Sequence, residues 1–497
     1  MAQKKAAPKA PKAAKAPEVK KAVSVLIAGS ECAPFAKTGG LADVIGTLPR
    51  DLIALGLDVR VMIPFHSIIK KKYGDKTRHL ADFWIHLGWR SQYVGVESLE
   101  MDGVTYYFID NEYYFGGPIY KGGEAEGEQY AFFQRALLES LQKIGFVPDI
   151  LHANDWQTGM IPMLLKTQYQ KTALKDIKTV FTIHNMMYQG TYAFGAVRDW
   201  LGVDPSYYSS ECLEAYGCAN FMKAALVFAD KINTVSPTYA EEIKTAYYAY
   251  GMEGILNARS ADLCGILNGI DVDAFDPETD KYLKYHFSLS DMNGKYENKK
   301  MLMRELGLTA DPSTPLIGMI SRLTSQKGFD LVMRVFNEIM QENVAIVLLG
   351  TGDPMYESFF RGMEASYKGR VCSYIAYDNA LSHQIYAASD LFLMPSKFEP
   401  CGISQMISLR YGTLPIVRET GGLRDTVVPY NEYTGEGNGF SFTNYNAHDM
   451  LEVIRLALRT IGDPATRRRL IEHAMTADNS FIVSAKKYRD LYLSLLD

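Results

Sequence analysis

Short apolar strands alternate with helical segments along this chain, and the alternation starts twice. The first series begins near residue 23 with a strand, a helix at 41–55 and a second strand at 59–63. The second series has predicted strands, with helices between them, at residues 316–320, 344–349, 371–376, 391–395 and 414–417. Strands that alternate with helices of about 10 to 15 residues form parallel, doubly wound sheets. The sequence therefore predicts an α/β fold of two Rossmann-like domains that face a central cleft.

A Gly-rich, polar stretch from Tyr250 to Asp280 separates the two series and is the expected junction between the domains. The predicted units are a leader at 1–22, an N-terminal domain at 23–264, a C-terminal domain at 265–480 and a last helix at 481–497. Residues 83–109 alternate in polarity and are rich in aromatic side chains, which predicts an antiparallel insertion. The last helix has apolar residues at helical spacing, so it must pack against another part of the chain.

Charge is unevenly distributed along the 497 residues, whose net charge is −5. The first 22 residues carry a charge of +6 in a Lys/Ala/Pro-rich sequence, which leaves −11 on the rest. An acidic body of this kind argues against nucleic acid as the main partner. The leader offers little apolar surface to bury, so we expect it to be disordered. It also lacks the apolar core of a secretory signal.

Neither membrane insertion nor a disulfide framework is predicted. No apolar run approaches the roughly 20 residues that a membrane-spanning helix needs, so no membrane partner is expected. The six cysteines form no CxxC pair, and six in a chain of this length are too few for a disulfide scaffold. We therefore expect a cytoplasmic protein; the sequence leaves its oligomeric state open.

One short motif occurs in both halves. Residues 37–43 (KTGGLAD) and 419–425 (ETGGLRD) each follow a predicted strand and open a predicted helix. Glycines allow a tight turn that brings backbone N–H groups to the start of a helix, where the helix dipole favours an anion. The repetition predicts an anion-ready helix end in each half, although a double glycine alone is also an ordinary turn.

Cations and a carboxylate follow strands of the second series. Arg322 and Lys327 come after the strand 316–320, and Glu399 and Cys401 come after the strand 391–395. Ligands of parallel sheets bind beyond the carboxyl ends of the strands, and Arg and Lys are the side chains that bind phosphate. A solvated loop with two ordinary cations remains the alternative. No Walker sequence is present, so a diphosphate between domains is favoured over a P-loop site.

Other polar residues have equally plausible structural roles. His184 ends a strand of the first series, and Asp155 precedes a helix, where an N-cap is the common role. Asp271 and Asp273 are spaced like a two-carboxylate metal clamp, but their context predicts a turn, so no metal site is predicted. Tyrosine clusters such as 247–250 can stack on sugars, although core packing is the more common role.

Taken together, the motifs resemble those of the bacterial glycogen synthase and plant starch synthase family, retaining glycosyltransferases of the two-domain GT-B fold. The similar segments are KTGGLADV at 37–44, HANDWQTG at 152–159, TIHN at 182–185, ILNGID at 266–271, SRLTSQKG at 321–328, SKFEPCG at 396–402 and GTLPIVRETGGLRDTV at 412–427. They occur in order over almost all of residues 23–497.

The resemblance implies transfer of glucose from ADP-glucose to the non-reducing end of an α-1,4-glucan, with ADP as product and without a cofactor or a metal. It implies that the N-terminal domain binds the glucan, that the C-terminal domain binds the nucleotide sugar, and that the last helix crosses back to the N-terminal domain. The implied catalytic residues are Asp155, His184, Arg322, Lys327 and Glu399. The implied donor-binding residues are Lys37, Gly39, Gly40, Asn268, Tyr377 (against the base), Cys401, Gly402, Ile403, Ser404 and Thr420.

Three alternatives stay open at this point. A related enzyme of the same architecture could use UDP-glucose or another acceptor. A catalytically inactive glucan-binding protein is disfavoured because Lys37, His184, Arg322, Lys327 and Glu399 are all present. A phosphorylase is disfavoured because no convincing lysine site for pyridoxal phosphate is found. Front-face transfer is preferred over double displacement, since no carboxylate nucleophile is obvious.

Overall fold

Two mainly parallel sheets, each covered by helices, form the body of the protein in the computed structural model, which describes residues 22–496. The first sheet has nine strands in the order β12-β11-β7-β6-β1-β2-β5-β4-β3, and the second has six in the order β15-β14-β13-β16-β17-β18. A small sheet, β8-β10-β9, accompanies the first. The two-domain α/β architecture predicted from the alternation is thus confirmed, and the predicted leader lies outside the described residues apart from Ala22.

The elements of the first domain are β1 (Ser24–Ala28), α1 (Gly40–Ala54), β2 (Asp58–Pro64), α2 (Ser67–Tyr73), β3 (Arg78–Leu87), β4 (Arg90–Met101), β5 (Val104–Asp110), α3 (Glu112–Phe115), α4 (Gly123–Lys143), β6 (Ile150–Asn154), α5 (Ile161–Thr167), β7 (Lys178–Ile183), β8 (Thr191–Tyr192), α6 (Phe194–Leu201), β9 (Glu214–Ala215), β10 (Cys218–Asn220), α7 (Phe221–Phe228), β11 (Lys231–Thr234), α8 (Pro237–Glu242), α9 (Ala246–Ala249), α10 (Glu253–Ala258) and β12 (Leu263–Gly265).

The elements that follow are α11 (Asn293–Glu305), β13 (Leu316–Ile320), α12 (Phe329–Ile339), β14 (Ala345–Leu349), α13 (Pro354–Ser366), β15 (Val371–Tyr374), α14 (Asn379–Ala388), β16 (Leu391–Met394), α15 (Ser404–Arg410), β17 (Leu414–Arg418), α16 (Gly421–Thr426), β18 (Phe440–Phe442), α17 (Ala447–Ile461), α18 (Pro464–Thr476) and α19 (Phe481–Leu493). Strands β1, β6, β14 and β16 are buried along their whole length, as central strands of a parallel sheet must be.

Three features of the fold differ in detail from the sequence prediction. Strands β3 and β5 both pair antiparallel with β4, as predicted for residues 83–109, but β5 also pairs in parallel with β2, so these strands extend the main sheet. The predicted junction at 250–280 contains α10 and β12, and the first sheet therefore continues to Gly265. Strand β18 was not predicted because it is only three residues long, with a serine at its centre.

The last helix, α19, packs on the first domain. Its Tyr488 and Tyr492 are fully buried, and Tyr492 Oη lies 2.8 Å from His152 Nδ1. Tyr488 Oη accepts a hydrogen bond of 2.8 Å from Asn233 Nδ2. The end of the chain is therefore tied to strands β6 and β11 by two buried polar contacts as well as by apolar packing. None of the described helices is both long and apolar enough to cross a membrane.

Candidate active site

A cleft of about 640 Å³ is lined by residues of both domains. Asp155 directly follows strand β6, His184 follows β7, Arg322 lies just after β13, and Glu399 lies in the loop after β16. The carboxyl ends of parallel strands in the two sheets therefore deliver the polar side chains to one space, which is where ligands of such sheets bind. The predicted catalytic residues Asp155, His184, Arg322, Lys327 and Glu399 all line this cleft.

An ion pair between Lys327 and Glu399 lies on one wall of the cleft. Lys327 Nζ lies 2.6 Å from Glu399 Oε2, and Ser396 Oγ donates a hydrogen bond of 3.0 Å to the same oxygen. The Glu399 side chain is only 8% exposed, so its carboxylate is held in one orientation. Arg322 is exposed on the same wall and forms no ion pair with any residue between 22 and 496. Lys327 is thus held by Glu399, whereas Arg322 is available to a ligand.

Asp155 and His184 are locked together on the facing wall. The Asp155 carboxylate accepts the backbone N–H of His184 at 2.7 Å, and His184 Nε2 lies 2.9 Å from Asn154 Oδ1. Burial raises the pKa of Asp155 to about 7 and lowers the pKa of His184 to about 3. The neutral imidazole donates from Nε2 to the amide oxygen, which leaves Nδ1 as an acceptor for a ligand hydroxyl.

Asp155 has a strained backbone. Its φ of 57° and ψ of 178° lie in a region that is nearly exclusive to glycine. The hydrogen bond to His184 and the pairing of Asp155 N with Thr182 O at 3.0 Å hold this conformation. Strain that the surroundings impose on one carboxylate-bearing residue in a cleft is typical of functional sites.

Glu31, which no sequence motif indicated, also lines the cleft. Its carboxylate is buried and accepts the backbone N–H of Thr38 at 2.5 Å, and burial raises its pKa. Glu31 therefore fixes the turn that begins helix α1. A carboxylate placed between strand β1 and the Thr-Gly-Gly turn was the available signal. Tyr120, whose hydroxyl lies 3.0 Å from Ser30 Oγ, is a second missed lining residue.

Most predicted donor-binding residues line the cleft, namely Gly39, Gly40, Asn268, Cys401, Gly402, Ile403 and Ser404. Asn268 Oδ1 is buried and has no hydrogen-bond partner among the described residues. An unpaired buried oxygen aimed at a cleft is a ready acceptor for a sugar hydroxyl. A Cβ added to Gly40 would lie 3.4 Å from Ile403 Cδ1, so the two domains are in van der Waals reach here. Burial raises the pKa of Cys401 to about 12, which excludes a thiolate nucleophile at neutral pH.

Lys37, Tyr377 and Thr420 are not in the lining of the cleft. Lys37 Nζ forms an exposed ion pair of 2.6 Å with Asp43, because the two side chains meet across the first turn of α1. Tyr377 is 82% exposed, on the loop that follows β15. Thr420 Oγ1 donates a hydrogen bond of 2.9 Å to Glu242. Donor binding by these three residues stays a prediction, since none of them lines the cleft in this arrangement.

The second Gly-Gly turn is not an open anion site, which corrects the prediction of one such end in each half. The Gly421 N–H already donates to both oxygens of Glu242 at 3.1 Å. A Cβ on Gly421 would lie 1.9 Å from the carbonyl oxygen of Glu399, and one on Gly422 would lie 2.0 Å from that of Cys401. The glycines are therefore required for close packing against the loop that carries Glu399.

Asp271 and Asp273 form a turn, as their context predicted. Asp271 Oδ1 accepts the backbone N–H groups of Asp273 and Ala274, both at 3.1 Å. Arg50 lies 3.9 Å from Asp271 and 3.8 Å from Asp273. Such an Asx turn with a nearby cation accounts for both carboxylates.

Two known protein families match the chain: the starch synthase catalytic domain over residues 24–258 and glycosyl transferases group 1 over residues 307–476. A glycogen synthase of Geobacillus thermodenitrificans (strain NG80-2) is 53% identical over 475 residues, which cover 95% of this chain and 98% of that protein. The chain belongs to the glycogen synthase and starch synthase family of glycosyltransferases. A family member from Clostridium perfringens (strain 13 / Type A), also a glycogen synthase, is 49% identical over 477 residues, 96% of this chain and 99% of its own.

Solved structures of this fold agree with that assignment. The catalytic domain of starch synthase IV from Arabidopsis thaliana, bound to ADP and acarbose, is 35% identical with a TM-score of 0.88 over 96% of this chain and 99% of that domain. A sucrose-phosphate synthase from Thermosynechococcus elongatus is 18% identical with a TM-score of 0.59, over 95% of this chain and 99% of that chain, and shows the shared fold alone. The protein is a glycosyltransferase of the GT-B fold, as the sequence motifs indicated.

Proposed function

We propose that the protein transfers glucose from ADP-glucose to the non-reducing end of an α-1,4-glucan and retains the anomeric configuration. The observation that carries this proposal is the cleft itself, in which Arg322 and Lys327 share a wall with Glu399 and face Asp155 and His184. The relatives named glycogen synthase and the starch synthase bound to ADP and acarbose support the donor and the acceptor proposed here.

The cations are assigned to the departing diphosphate. Cleavage of a sugar–phosphate bond leaves negative charge on the phosphate oxygen, and preorganised cations near that oxygen stabilise the transition state. Arg322 is free to form two parallel bonds to phosphate, whereas Lys327 is placed by its 2.6 Å contact with Glu399. The amide of Gly40, at the start of α1, is assigned to the same anion.

Residues of both walls are assigned to the sugar. His184 stays neutral because burial depresses its pKa to about 3, so its free Nδ1 can accept a bond from a glucose hydroxyl. Glu399 and Asn268 are assigned to other hydroxyls of the same sugar. Both cleft carboxylates nearest the reaction, Asp155 and Glu399, are already held by partners. We therefore favour a front-face path, in which the leaving phosphate accepts the proton of the attacking glucan hydroxyl.

A comparison of ADP-glucose with UDP-glucose as donor tests this proposal. Purified protein with glycogen should release nucleoside diphosphate from ADP-glucose faster than from UDP-glucose at equal concentration. Release that requires glycogen identifies transfer, and release without glycogen identifies simple hydrolysis. A preference for UDP-glucose would assign the protein to a related enzyme of the same architecture. No release from either donor by folded protein would favour a glucan-binding role.

Activity is expected to be independent of divalent metal, because side-chain cations and helix N–H groups are assigned to the diphosphate. The rate of ADP release should change by less than about twofold when EDTA is added in excess. Loss of activity with EDTA and recovery with manganese or magnesium would contradict this expectation. Such a result would make Asp271 and Asp273 the candidate metal ligands.

We further propose that the protein acts in the cytoplasm. All six cysteines are free thiols, and Cys32, Cys372 and Cys401 are buried in the two domains. Free thiols in this number are typical of proteins that stay in a reducing compartment.

A further inference from the structure

Glu242 reaches from the first domain to the loop that carries Glu399. It is the last residue of α8, and its carboxylate accepts Thr420 Oγ1 at 2.9 Å and the Gly421 N–H at 3.1 Å. These groups form the start of α16 in the second domain. The cleft lining includes neither Glu242 nor Thr420, so the contact lies behind the wall of the site.

The turn that Glu242 holds is packed directly against the Glu399 loop. The Gly422 N–H donates to the carbonyl oxygens of Glu399 at 3.3 Å and Pro400 at 3.1 Å. A Cβ on Gly421 would lie only 1.9 Å from the Glu399 carbonyl oxygen, so the two backbones are in direct contact. A shift of this turn must therefore shift the backbone of Glu399.

We propose that Glu242 is a positioning residue that holds Glu399 in its working orientation from the opposite domain. The inference rests on the proposed function, because it assumes that Glu399 places the donor sugar. Glu399 points its carboxylate at Lys327 in the cleft and is anchored through its backbone to the turn behind it. The orientation of a sugar-binding side chain in one domain thereby depends on the position of a carboxylate in the other.

A second contact between the same helices provides the rival explanation. Asp425 of α16 accepts Thr238 Oγ1 at 2.6 Å and the Thr238 N–H at 3.1 Å, at the start of α8. A carboxylate near the C-terminal end of each helix thus contacts the N-terminal end of the other helix. Both contacts join the domains. If Glu242 served only to join them, removal of either carboxylate would have the same effect on catalysis.

Turnover in variants of Glu242 distinguishes a positioning role from a role that only joins the two domains. Glu242→Ala removes both bonds to the turn, and we expect kcat to fall about tenfold or more, since a small misplacement near the reacting atoms is costly. The Kd for ADP should change by less than about threefold, because the cations are untouched. Glu242→Gln keeps an oxygen that can accept from Thr420 and Gly421, so kcat should recover to within about threefold of the parent.

Two control variants accompany these. Glu241→Ala removes the neighbouring carboxylate, which is 74% exposed and forms an ion pair of 2.6 Å with Lys244 of its own domain. It should leave kcat unchanged. Asp425→Asn weakens the other contact between the helices while the bond from Gly421 to Glu242 remains. We expect Asp425→Asn to lower the thermal midpoint but to change kcat by less than about threefold.

The double variant Glu242→Ala with Glu399→Gln gives the final discrimination. If Glu242 acts through Glu399, its removal should cost little further turnover once Glu399 is already altered, because coupled residues are not additive. Full additivity of the two losses would overturn the inference, and so would equal losses of kcat in Glu242→Ala and Asp425→Asn. Unchanged kcat in folded Glu242→Ala would overturn it as well. Failure of the parent protein to transfer glucose would instead refute the proposed function.

Discussion

Lys327→Ala is expected to lower kcat about a hundredfold, because it removes a cation that meets the charge on the leaving diphosphate. Loss of one such preorganised stabiliser typically costs about 3 kcal/mol of transition-state stabilisation. Arg322→Ala should have an effect of similar size. Both variants should also bind ADP much more weakly, which titration calorimetry measures without any need for turnover.

Lys397→Ala is the matched control for these two variants. Lys397 is an exposed cation in the loop before Glu399, and it does not line the cleft. Its removal should leave both kcat and the Kd for ADP within about twofold of the parent values. Full turnover in Lys327→Ala and Arg322→Ala would mean that the cleft between the domains is not the active site.

Glu399→Ala is expected to reduce kcat to a similar extent, but through the sugar and not through the phosphate. Glu399 is assigned to glucose hydroxyls, and a small misplacement of the reacting atoms can cost about a hundredfold in rate. The ion pair of 2.6 Å with Lys327 sharpens the prediction for ADP. Without Glu399, Lys327 loses its carboxylate partner and can turn fully to the diphosphate, so ADP should bind at least as tightly as it binds the parent.

The comparison between Glu399→Ala and Lys327→Ala distinguishes stabilisation of the diphosphate charge from placement of the sugar. If Glu399→Ala lost affinity for ADP as severely as Lys327→Ala, with both proteins folded by circular dichroism, the assigned roles would be wrong. A rise in the KM for ADP-glucose with unchanged affinity for ADP would support them, since only the sugar distinguishes the two ligands.

Most of the parallel strands and the residues at their carboxyl ends were readily predicted from the sequence. Strand 316–320 was placed at its observed bounds, and Asp155, His184, Arg322 and Glu399 all line one cleft. These predictions succeed because a buried parallel strand is a continuous apolar run that is easy to recognise. Its carboxyl end then has a fixed relation to the ligand site.

Contacts between distant segments could not be predicted in the same way. The two Thr-Gly-Gly turns look alike in sequence, and each bonds to a carboxylate, Glu31 at the first and Glu242 at the second, but only the first lines the cleft. Glu31 was missed because its role depends on a bond to Thr38 across a loop. Local sequence gives the type of a turn, whereas the partner that occupies it is decided by the packing of the two domains.

The linkage of the product made from ADP-glucose tests the proposed reaction most directly. Incubation with a short α-1,4-glucan and ADP-glucose, followed by proton NMR, shows the anomeric configuration of each new bond. When the donor glucose carries an isotope label, digestion by an exo-acting amylase, which starts at non-reducing ends, then shows where the new glucose lies. We predict a new α-configured 1→4 bond whose glucose is released first. A β-configured bond, growth at the reducing end, or no growth of the glucan by folded protein would contradict the proposed reaction.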